Sequence, residues 1–197
     1  MESEFLNQLI KDFDQILKLP RETYEWVSPY LKEVRLKRGT IIKKSGTADK
    51  ASRYLLEGFA GSFTPNGEKL MLVKIFQASD IVFDESSFRA GIPGPTMLKA
   101  ISDVVFMEFP KEAEAMLLGR HAELVLLAHK VIHRIAERNA TVHHISKLGL
   151  RRGYQILMDE FPRLESEITN ADLASFFDVS TRTVERWKHD LKMNSHE

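Results

Sequence analysis

Two arginines and a group of hydroxyl residues near the C-terminus are the side chains best suited to recognising another molecule. Arg182 and Arg186 are four residues apart and would share one face of a helix. The predicted start of that helix carries Ser180, Thr181 and Thr183. Arginine can donate two hydrogen bonds to guanine, and a hydroxyl group at a helix N-terminus can hold a phosphate. The segment therefore favours a DNA-reading helix, although a helical hairpin with a solvated charged face would carry the same residues.

Two short helices joined by a tight turn would hold these residues in place. Thr169 is suited to cap the first helix, and Asp172 three residues later gives an acidic variant of the capping box. Asp178 marks the turn, because aspartate tolerates the left-handed backbone conformation, and Ser180 is suited to cap the second helix. Helical spacing directs one set of side chains inward: Leu173, Ala174, Phe177, Val184, Trp187 and Leu191. The outer face of the second helix would carry Thr181, Arg182, Glu185, Arg186 and His189.

The composition limits the class of protein and the compartment. The chain has 197 residues, a net charge of zero and no cysteine, so any contact with DNA must come from a local basic patch. The lack of cysteine excludes disulfides and thiolate iron–sulfur ligation. No apolar run reaches the ~20 residues that a membrane span needs, and the acidic start of the chain lacks the charge pattern of a signal peptide. A soluble, cytoplasmic protein with no membrane partner is expected.

Hydrophobic periodicity divides the chain into helical and strand-rich parts. Residues 3–18 and 20–31 have helical spacing, and Trp26, Val27 and Tyr30 would form the apolar side of the second helix. Short strand candidates separated by turn signals then follow, at 34–36, 40–42, 54–56, 61–63, 70–73 and 104–107. The tripeptide 65–67, Pro-Asn-Gly, predicts a hairpin turn. Short strands at this spacing indicate an antiparallel barrel or roll.

A long helix is predicted from about residue 122 to residue 148, after a short helix at 111–119. Its apolar residues recur in alternating steps of four and three, with a polar interruption at Arg138. They are Leu124, Ala128, Val131, Ile135, Val142 and Ile145. This seam predicts a two-stranded coiled coil in a homodimer, and the alternative is a single core helix buried all round. Residues 150–165 predict a further helix that Pro162 ends.

Other kinds of chemistry find less support in the sequence. His129 and His133 are spaced i, i+4 and could bind a metal on one helix face, but no third ligand is evident. No nucleophile–base arrangement and no phosphate-cradling glycine loop stands out. Neither an enzyme activity, a metal site nor a cofactor is therefore expected.

A strand-rich roll, a long helix and a helix-turn-helix in that order resemble the CRP/FNR family of bacterial transcription regulators. The resemblance covers roughly residues 33–192 and includes the glycine-punctuated segments 37–46 and 54–58. It implies an α+β fold: an N-terminal antiparallel β-roll of the double-stranded jelly-roll type with flanking helices, a long dimerisation helix, and a C-terminal helix-turn-helix domain. The sensor domain would span residues 1–148, including the dimerisation helix at about 122–148. The DNA-binding domain would span residues 149–197.

The resemblance also implies roles for individual residues. Thr181, Arg182 and Arg186 match the family's base-reading positions. Ser180 and Thr183 match its phosphate-contacting positions. The two-stranded wing that usually follows the family's helix-turn-helix is not expected, because the sequence ends at residue 197.

The segment 84–97 departs from the family's phosphate cassette. Glu85 matches the ribose-binding glutamate to within one position, but no arginine stands near Gly94, where the phosphate-binding arginine would fall. Arg89 is the candidate replacement. A buried phosphate without a guanidinium partner loses a charge-assisted, bidentate pair. Cyclic nucleotides are therefore not expected to bind, and an unknown small-molecule effector is left open.

Two functions are consistent with these observations. The first is a dimeric transcription regulator that reads a palindromic site in double-stranded DNA, with half-sites about one helical turn (~10 bp) apart. The second is a signalling or scaffolding module whose degenerate roll and helical tail no longer bind DNA. The zero net charge and the missing cassette arginine favour the second function. The two arginines and the cap residues of the C-terminal helices favour the first.

Overall fold

The computed structural model describes residues 2–67 and 69–194, with a strand-rich body between two groups of helices. The N-terminal helices are α1 (Glu2–Asp14) and α2 (Arg21–Val27), followed by a 3-10 turn at Ser28–Tyr30. The strands are β1 (Lys32–Leu36), β2 (Ile41–Lys43), β3 (Ala51–Glu57), β4 (Ala60–Asn66), β5 (Lys69–Phe76), β6 (Ile81–Val82), β7 (Met97–Ala100) and β8 (Val104–Pro110). The other helices are α3 (Glu85–Ala90), α4 (Lys111–Leu118), α5 (Ala122–Lys147), α6 (Gly149–Glu160), α7 (Leu164–Glu167), α8 (Asn170–Phe176) and α9 (Thr181–Asn194).

The strands form two antiparallel sheets whose facing sides enclose an apolar core. Their strand orders are β1-β8-β3-β6 and β2-β7-β4-β5. Leu55, Leu98 and Phe106 are fully buried between the sheets. This arrangement confirms the predicted α+β fold with an antiparallel roll. Strands β6 and β7 lie outside the segments predicted as strands.

The hairpin predicted at residues 65–67 is confirmed. β4 and β5 pair in antiparallel register from Ala60 and Phe76 to Asn66 and Lys69. Gly67 has a φ of +61°, a conformation that glycine adopts without the steric cost of a side chain. The hairpin extends one edge of the roll toward the C-terminal helices.

The N-terminal helices differ from the prediction in their bounds and in the buried face of α2. α1 ends at Asp14, four residues earlier than predicted. Tyr24 is buried, whereas Trp26 and Tyr30 are 37% and 40% exposed. Trp26 instead stacks on the His121 ring, with centroids 4.0 Å apart. A helix of seven residues is too short for its spacing to define a face.

The long helix α5 is confirmed, but its apolar seam packs within the chain. Val142 and Ile145 are buried in a core shared with the C-terminal helices, and Val131 packs against α1 and α2. Arg138, the polar interruption, forms an ion pair with Asp80, with Nη2 2.8 Å from Oδ2. Leu124, Val142 and Ile145 of the seam are therefore covered by the chain itself, and the homodimer through this helix stays a prediction. Periodicity reveals an apolar stripe, but it does not reveal which surface covers the stripe.

One hydrophobic core runs from the roll to the C-terminal helices. It includes Phe63 and Leu72 from the β4–β5 hairpin, Ile145 from α5, and Phe177 from the end of α8. Gly149, with a φ of +71°, marks the bend between α5 and α6. The predicted boundary at residues 148 and 149 coincides with this bend, and the division into two domains stays a prediction.

Candidate nucleic-acid interface and roll interior

Both helices of the C-terminal pair begin at the capping residues that the sequence predicts. Thr169 Oγ1 accepts a hydrogen bond from the Asp172 N–H at 2.9 Å, and Ser180 Oγ accepts one from the Thr183 N–H at 3.1 Å. Asp178 adopts a φ of +52° in the turn between the helices. These local bonds satisfy N–H groups that lack partners within the helices. They also set the direction in which α9 leaves the turn.

Helix α9 buries one side and exposes the side that carries the predicted DNA-binding residues. Val184 is fully buried, and the Trp187 ring meets the Tyr154 ring edge-on, with centroids 4.5 Å apart. Exposed on the opposite side are Thr181, Arg182, Glu185, Arg186 and His189. Ser180 is also exposed, and Thr183 is half-buried. Leu191, predicted to face inward, is 40% exposed, because the core beneath α9 extends only as far as Trp187.

Two further arginines lie beside this face and were assigned no role from the sequence. Arg151 and Arg152 of α6 are exposed, and they line a groove together with Thr183 and Arg186 of α9. Asp190 is the acidic residue in the same lining. Arginines on both walls make the groove locally positive although the chain as a whole is neutral. The sequence shows the arginine pair, but only the packing of α6 on α9 places it here.

The first helix of the pair, α8, is docked on the roll. Ser175 Oγ donates to the Leu70 carbonyl at 2.9 Å and accepts from the Leu72 N–H at 2.8 Å. Lys99 Nζ of β7 lies 3.0 Å from Asp172 Oδ1 in the first turn of α8. These polar contacts and the shared core fix the orientation of the helix pair on the roll.

Beside Gly94, where the cassette arginine is missing, the roll contains a buried ion pair. Lys43 Nζ lies 2.8 Å from Asp84 Oδ2 and donates to the carbonyl groups of Gly94 and Thr96 at 3.3 and 2.8 Å. The two charged side chains are only 3% and 4% exposed. A Cβ atom at Gly94 would lie 2.9 Å from Asp84 Oδ2 and 3.2 Å from Ser87 Cβ, so a side chain at this position would displace the carboxylate of the ion pair.

The charge of this ion pair is balanced without a ligand. Burial by itself would raise the pKa of Asp84, but hydrogen bonds from Lys43 and Ser86 and the lysine charge hold the pKa below its usual value. The carboxylate therefore stays ionised and neutralises the buried ammonium group. The backbone N–H of Asp84 donates a hydrogen bond to Asp49 Oδ2 at 2.8 Å. Asp49 in turn forms an ion pair with Arg53 at 3.0 Å. The buried cations of this region have carboxylate partners from the chain itself.

The two residues predicted to bind a ligand pair with each other on α3. Arg89 Nε lies 3.1 Å from Glu85 Oε1, and the two side chains are 49% and 35% exposed. Each charge therefore already has a partner one helical turn away. A role for Glu85 and Arg89 in ligand binding stays a prediction.

The histidine pair of α5 lies on the exposed side of that helix. The rings of His129 and His133 meet edge-on, with centroids 4.6 Å apart. Across residues 2–67 and 69–194, no cluster of three or more histidine, aspartate or glutamate side chains is arranged to hold a metal ion. No helix in those ranges has the length and apolar character needed to cross a bilayer.

Comparison with known proteins identifies the architecture. No protein-family profile and no curated protein matches the sequence. The c-di-GMP-responsive global regulator CLP of Xanthomonas campestris superimposes with a TM-score of 0.70 at 13% identity, over 89% of this chain and 93% of CLP. A protein described as a CRP/FNR-family regulator, from Eubacterium rectale, gives 0.68 at 15% identity, over 89% and 85% of the two chains. FixK2 of Bradyrhizobium japonicum gives 0.66 at 13% identity, over 84% and 86%.

The chain has the CRP/FNR fold. At 13–15% identity the shared feature is the backbone architecture, so the side chains that give function must be argued from this chain alone. The CRP/FNR fold accounts for the order of roll, long helix and helix-turn-helix along the sequence. It also accounts for the position of α5, which passes from the roll to the C-terminal helices.

Proposed function

We propose that this protein is a DNA-binding transcription regulator of the CRP/FNR type. The observation that carries the proposal is the exposed face of α9, where Arg182 and Arg186 follow a helix start capped by Ser180. An arginine on such a face can donate two hydrogen bonds to guanine in the major groove. The hydroxyl and amide groups at the helix start can bind a phosphate and set the register. Thr181 and Thr183 would contribute to the same contacts.

The arginines of α6 support this assignment. Arg151 and Arg152 form a second wall beside Arg186, so the duplex backbone would meet positive charge on both sides of the groove. Contacts to phosphate position a protein on DNA, while contacts to base edges provide the specificity. Because the net charge of the chain is zero, the attraction to DNA would come from this surface.

A homodimer would present two such helices to a palindromic site. The predicted seam of α5 is buried within the chain, so we propose that the partner packs on the opposite face. Exposed residues on that face recur in steps of four and three: Ala122, Leu126, His129, His133, Ala136, Ala140 and His143. Alanine side chains allow two helices to approach closely, and Leu126 is 50% exposed, which favours its burial against a second copy.

The effector of this regulator would be neither cyclic AMP nor cyclic GMP. The Lys43–Asp84 pair occupies the interior beside Gly94, and its charges are balanced. An anionic phosphate would have to break this pair and would leave the Asp84 carboxylate buried beside it. Burying charges without partners costs several kcal/mol.

Selection from a pool of random duplexes, followed by fluorescence anisotropy, tests the proposal. The selected site should contain two half-sites about one helical turn (~10 bp) apart. Arg186→Ala should weaken binding to that site by ~1–3 kcal/mol and relax its base preference. Arg35→Ala, on β1 of the roll, is the matched control and should bind like the parent. If no duplex is enriched, the scaffolding module is the better description.

A further inference from the structure

A cavity lies between the sheet β1-β8-β3-β6 and the helices that cover its outer face. Its volume is about 220 Å³. The sheet contributes Tyr54 and Met107, and α1, α2 and α4 contribute further apolar side chains. The wall formed by α5 consists of Leu124, Leu127, Ala128, Val131, Ile132 and Ile135. Much of the apolar seam of α5 therefore lines this cavity, and the seam also packs against other side chains.

The lining is apolar except for a few polar groups. Ser52 Oγ and Glu114 Oε2 are 3.4 Å apart, a long hydrogen bond that leaves both groups able to accept a donor from a ligand. Burial raises the pKa of Glu114, because the hydrogen bond from Ser52 and the nearby positive charges do not fully replace the water that the carboxylate has lost. Arg89 also lines the cavity; its side chain is 49% exposed and its Nε pairs with Glu85. Ser52 and Glu114 are the acceptors that the lining offers to a donor on a ligand.

The size and the lining together select a class of ligand. An apolar cavity of about 150 Å³ stays dry and takes up benzene. A space about half as large again suits a flat molecule of two fused rings. We propose that this cavity binds a neutral, largely apolar ring compound that carries one hydroxyl or N–H donor, held by Ser52 and Glu114. A carboxylate or phosphate on the ligand would face the charge of Glu114.

Occupation of the cavity would act on the helix-turn-helix through α5. A ligand would contact this helix along the turns between Leu124 and Ile135. The same helix continues to Val142 and Ile145, which are buried in the core shared with α8 and α9. A filled cavity would hold α5 at a set distance from the sheet and so bias the position of the DNA-reading face. This regulatory consequence rests on the proposed function, whereas the binding of the ligand does not.

Calorimetry with three naphthalene compounds of similar shape tests whether the cavity binds such a ligand. The probes are 2-naphthol, naphthalene and 2-naphthoate. 2-Naphthol should bind about three- to tenfold more tightly than naphthalene because it adds one hydrogen bond. 2-Naphthoate should bind most weakly, because two carboxylates would meet. Glu114→Leu should remove the advantage of 2-naphthol, and Glu112→Leu, at an exposed position of the same helix, should keep it.

A variant that fills the cavity tests the location. Ala128→Phe places a ring in the space and should weaken 2-naphthol binding about tenfold or more, because a close-packed interior leaves no room for a second ring. Ala115→Phe, at an exposed position of α4, is the matched control and should bind like the parent. If Ala128→Phe does not fold, Leu118→Phe closes the same space from α4.

The outcomes separate the ligand site from its regulatory effect. The proposal is overturned if the parent binds none of the three probes, or if a folded, cavity-filled variant binds 2-naphthol like the parent. Fluorescence anisotropy with the selected duplex tests the regulatory effect. 2-Naphthol should change the affinity of the parent for DNA and leave that of the filled variant unchanged. Bound 2-naphthol without any change in DNA affinity would overturn the regulatory part and leave the site in place.

Discussion

Lys99 and Asp172 join the roll to the helix-turn-helix by an ion pair, with Nζ 3.0 Å from Oδ1. The same carboxylate accepts a hydrogen bond from the Thr169 hydroxyl at 2.8 Å, in the capping box of α8. A residue that the sequence assigns to local capping thus also ties α8 to β7. The lysine and aspartate side chains are 26% and 12% exposed, so solvent screens this pair less than it screens a surface pair.

The docking of α8 predicts the behaviour of a Ser175→Ala variant. The change removes both hydrogen bonds to the β4–β5 hairpin and should lower the free energy of unfolding by ~1–3 kcal/mol. Hydrogen exchange of the Leu72 amide should become faster, because that N–H loses its acceptor. Ser166→Ala is the matched control, since its hydroxyl donates to the Arg163 carbonyl within its own turn. Unchanged exchange at Leu72 in the Ser175 variant would contradict the docking.

The ion pair inside the roll predicts a large effect of Lys43→Met. This change leaves the Asp84 carboxylate buried without its lysine and should lower the free energy of unfolding by ~3–5 kcal/mol in urea titrations. Lys44→Met, at the exposed neighbouring position, should have almost no effect.

Calorimetry of the parent with cyclic AMP and cyclic GMP should detect no binding up to millimolar concentration. A dissociation constant in the low micromolar range for either nucleotide would show that the pair opens for a phosphate.

Asp80 should take up a proton near pH 6. Burial raises the pKa of this carboxyl group to about 6 in spite of the Arg138 charge. Because the folded pKa lies above the unfolded value of ~3.9, the contribution of this group to stability is fully present below about pH 4 and is lost as the pH rises through 6. Carbon NMR titration of the carboxyl group measures the midpoint directly. A titration midpoint near pH 4 would contradict this prediction.

A variant of the partner residue provides the control for that titration. Arg138→Gln removes a charge that favours the ionised form, so the midpoint of Asp80 should move to higher pH. Arg21→Gln, on α2, should leave the midpoint unchanged.

The two faces of α5 predict opposite outcomes for two similar substitutions. Leu126→Glu, on the exposed face, should dissociate the proposed dimer and leave each protomer folded. Val131→Glu, on the face that packs against α1 and α2, should lower the thermal stability of the protomer, because a buried carboxylate costs several kcal/mol. Sedimentation velocity and thermal melts of both variants separate the two effects. If Leu126→Glu stays dimeric while Val131→Glu becomes a folded monomer, the assignment of the faces is reversed.

The groove beside α9 predicts a distinct role for Arg151. Arg151→Gln should weaken binding to all duplexes alike and reduce the slope of log K against log salt by about 1, as expected for one lost phosphate contact. Arg186→Ala, in contrast, should change the base preference. A salt titration of both variants with the selected and a scrambled duplex distinguishes these roles. If the Arg151 variant keeps the salt slope of the parent, Arg151 does not contact the DNA backbone.

Local interactions explain which parts of this protein follow from the sequence alone. The caps at Thr169 and Ser180 bond to N–H groups three residues away, and the turn at Asp178 depends on the backbone preference of one residue. The Pro-Asn-Gly hairpin and the length of α5 likewise depend on neighbours within a few residues. The exposed arginines of α9 could be predicted for the same reason, because helical spacing separates them from the buried Val184.

Only the tertiary structure decided which surfaces meet. The spacing along α5 predicts an apolar stripe, but a stripe covered by a second chain and one covered by the chain's own helices have the same period. Nothing in the local sequence pairs Lys43 with Asp84, 41 residues away, or places Arg151 beside Arg186. Such contacts depend on how whole elements pack, since burial and ion pairing act between residues that are distant along the chain. The docked helix pair, the occupied roll interior and the cavity beside α5 are all consequences of that packing.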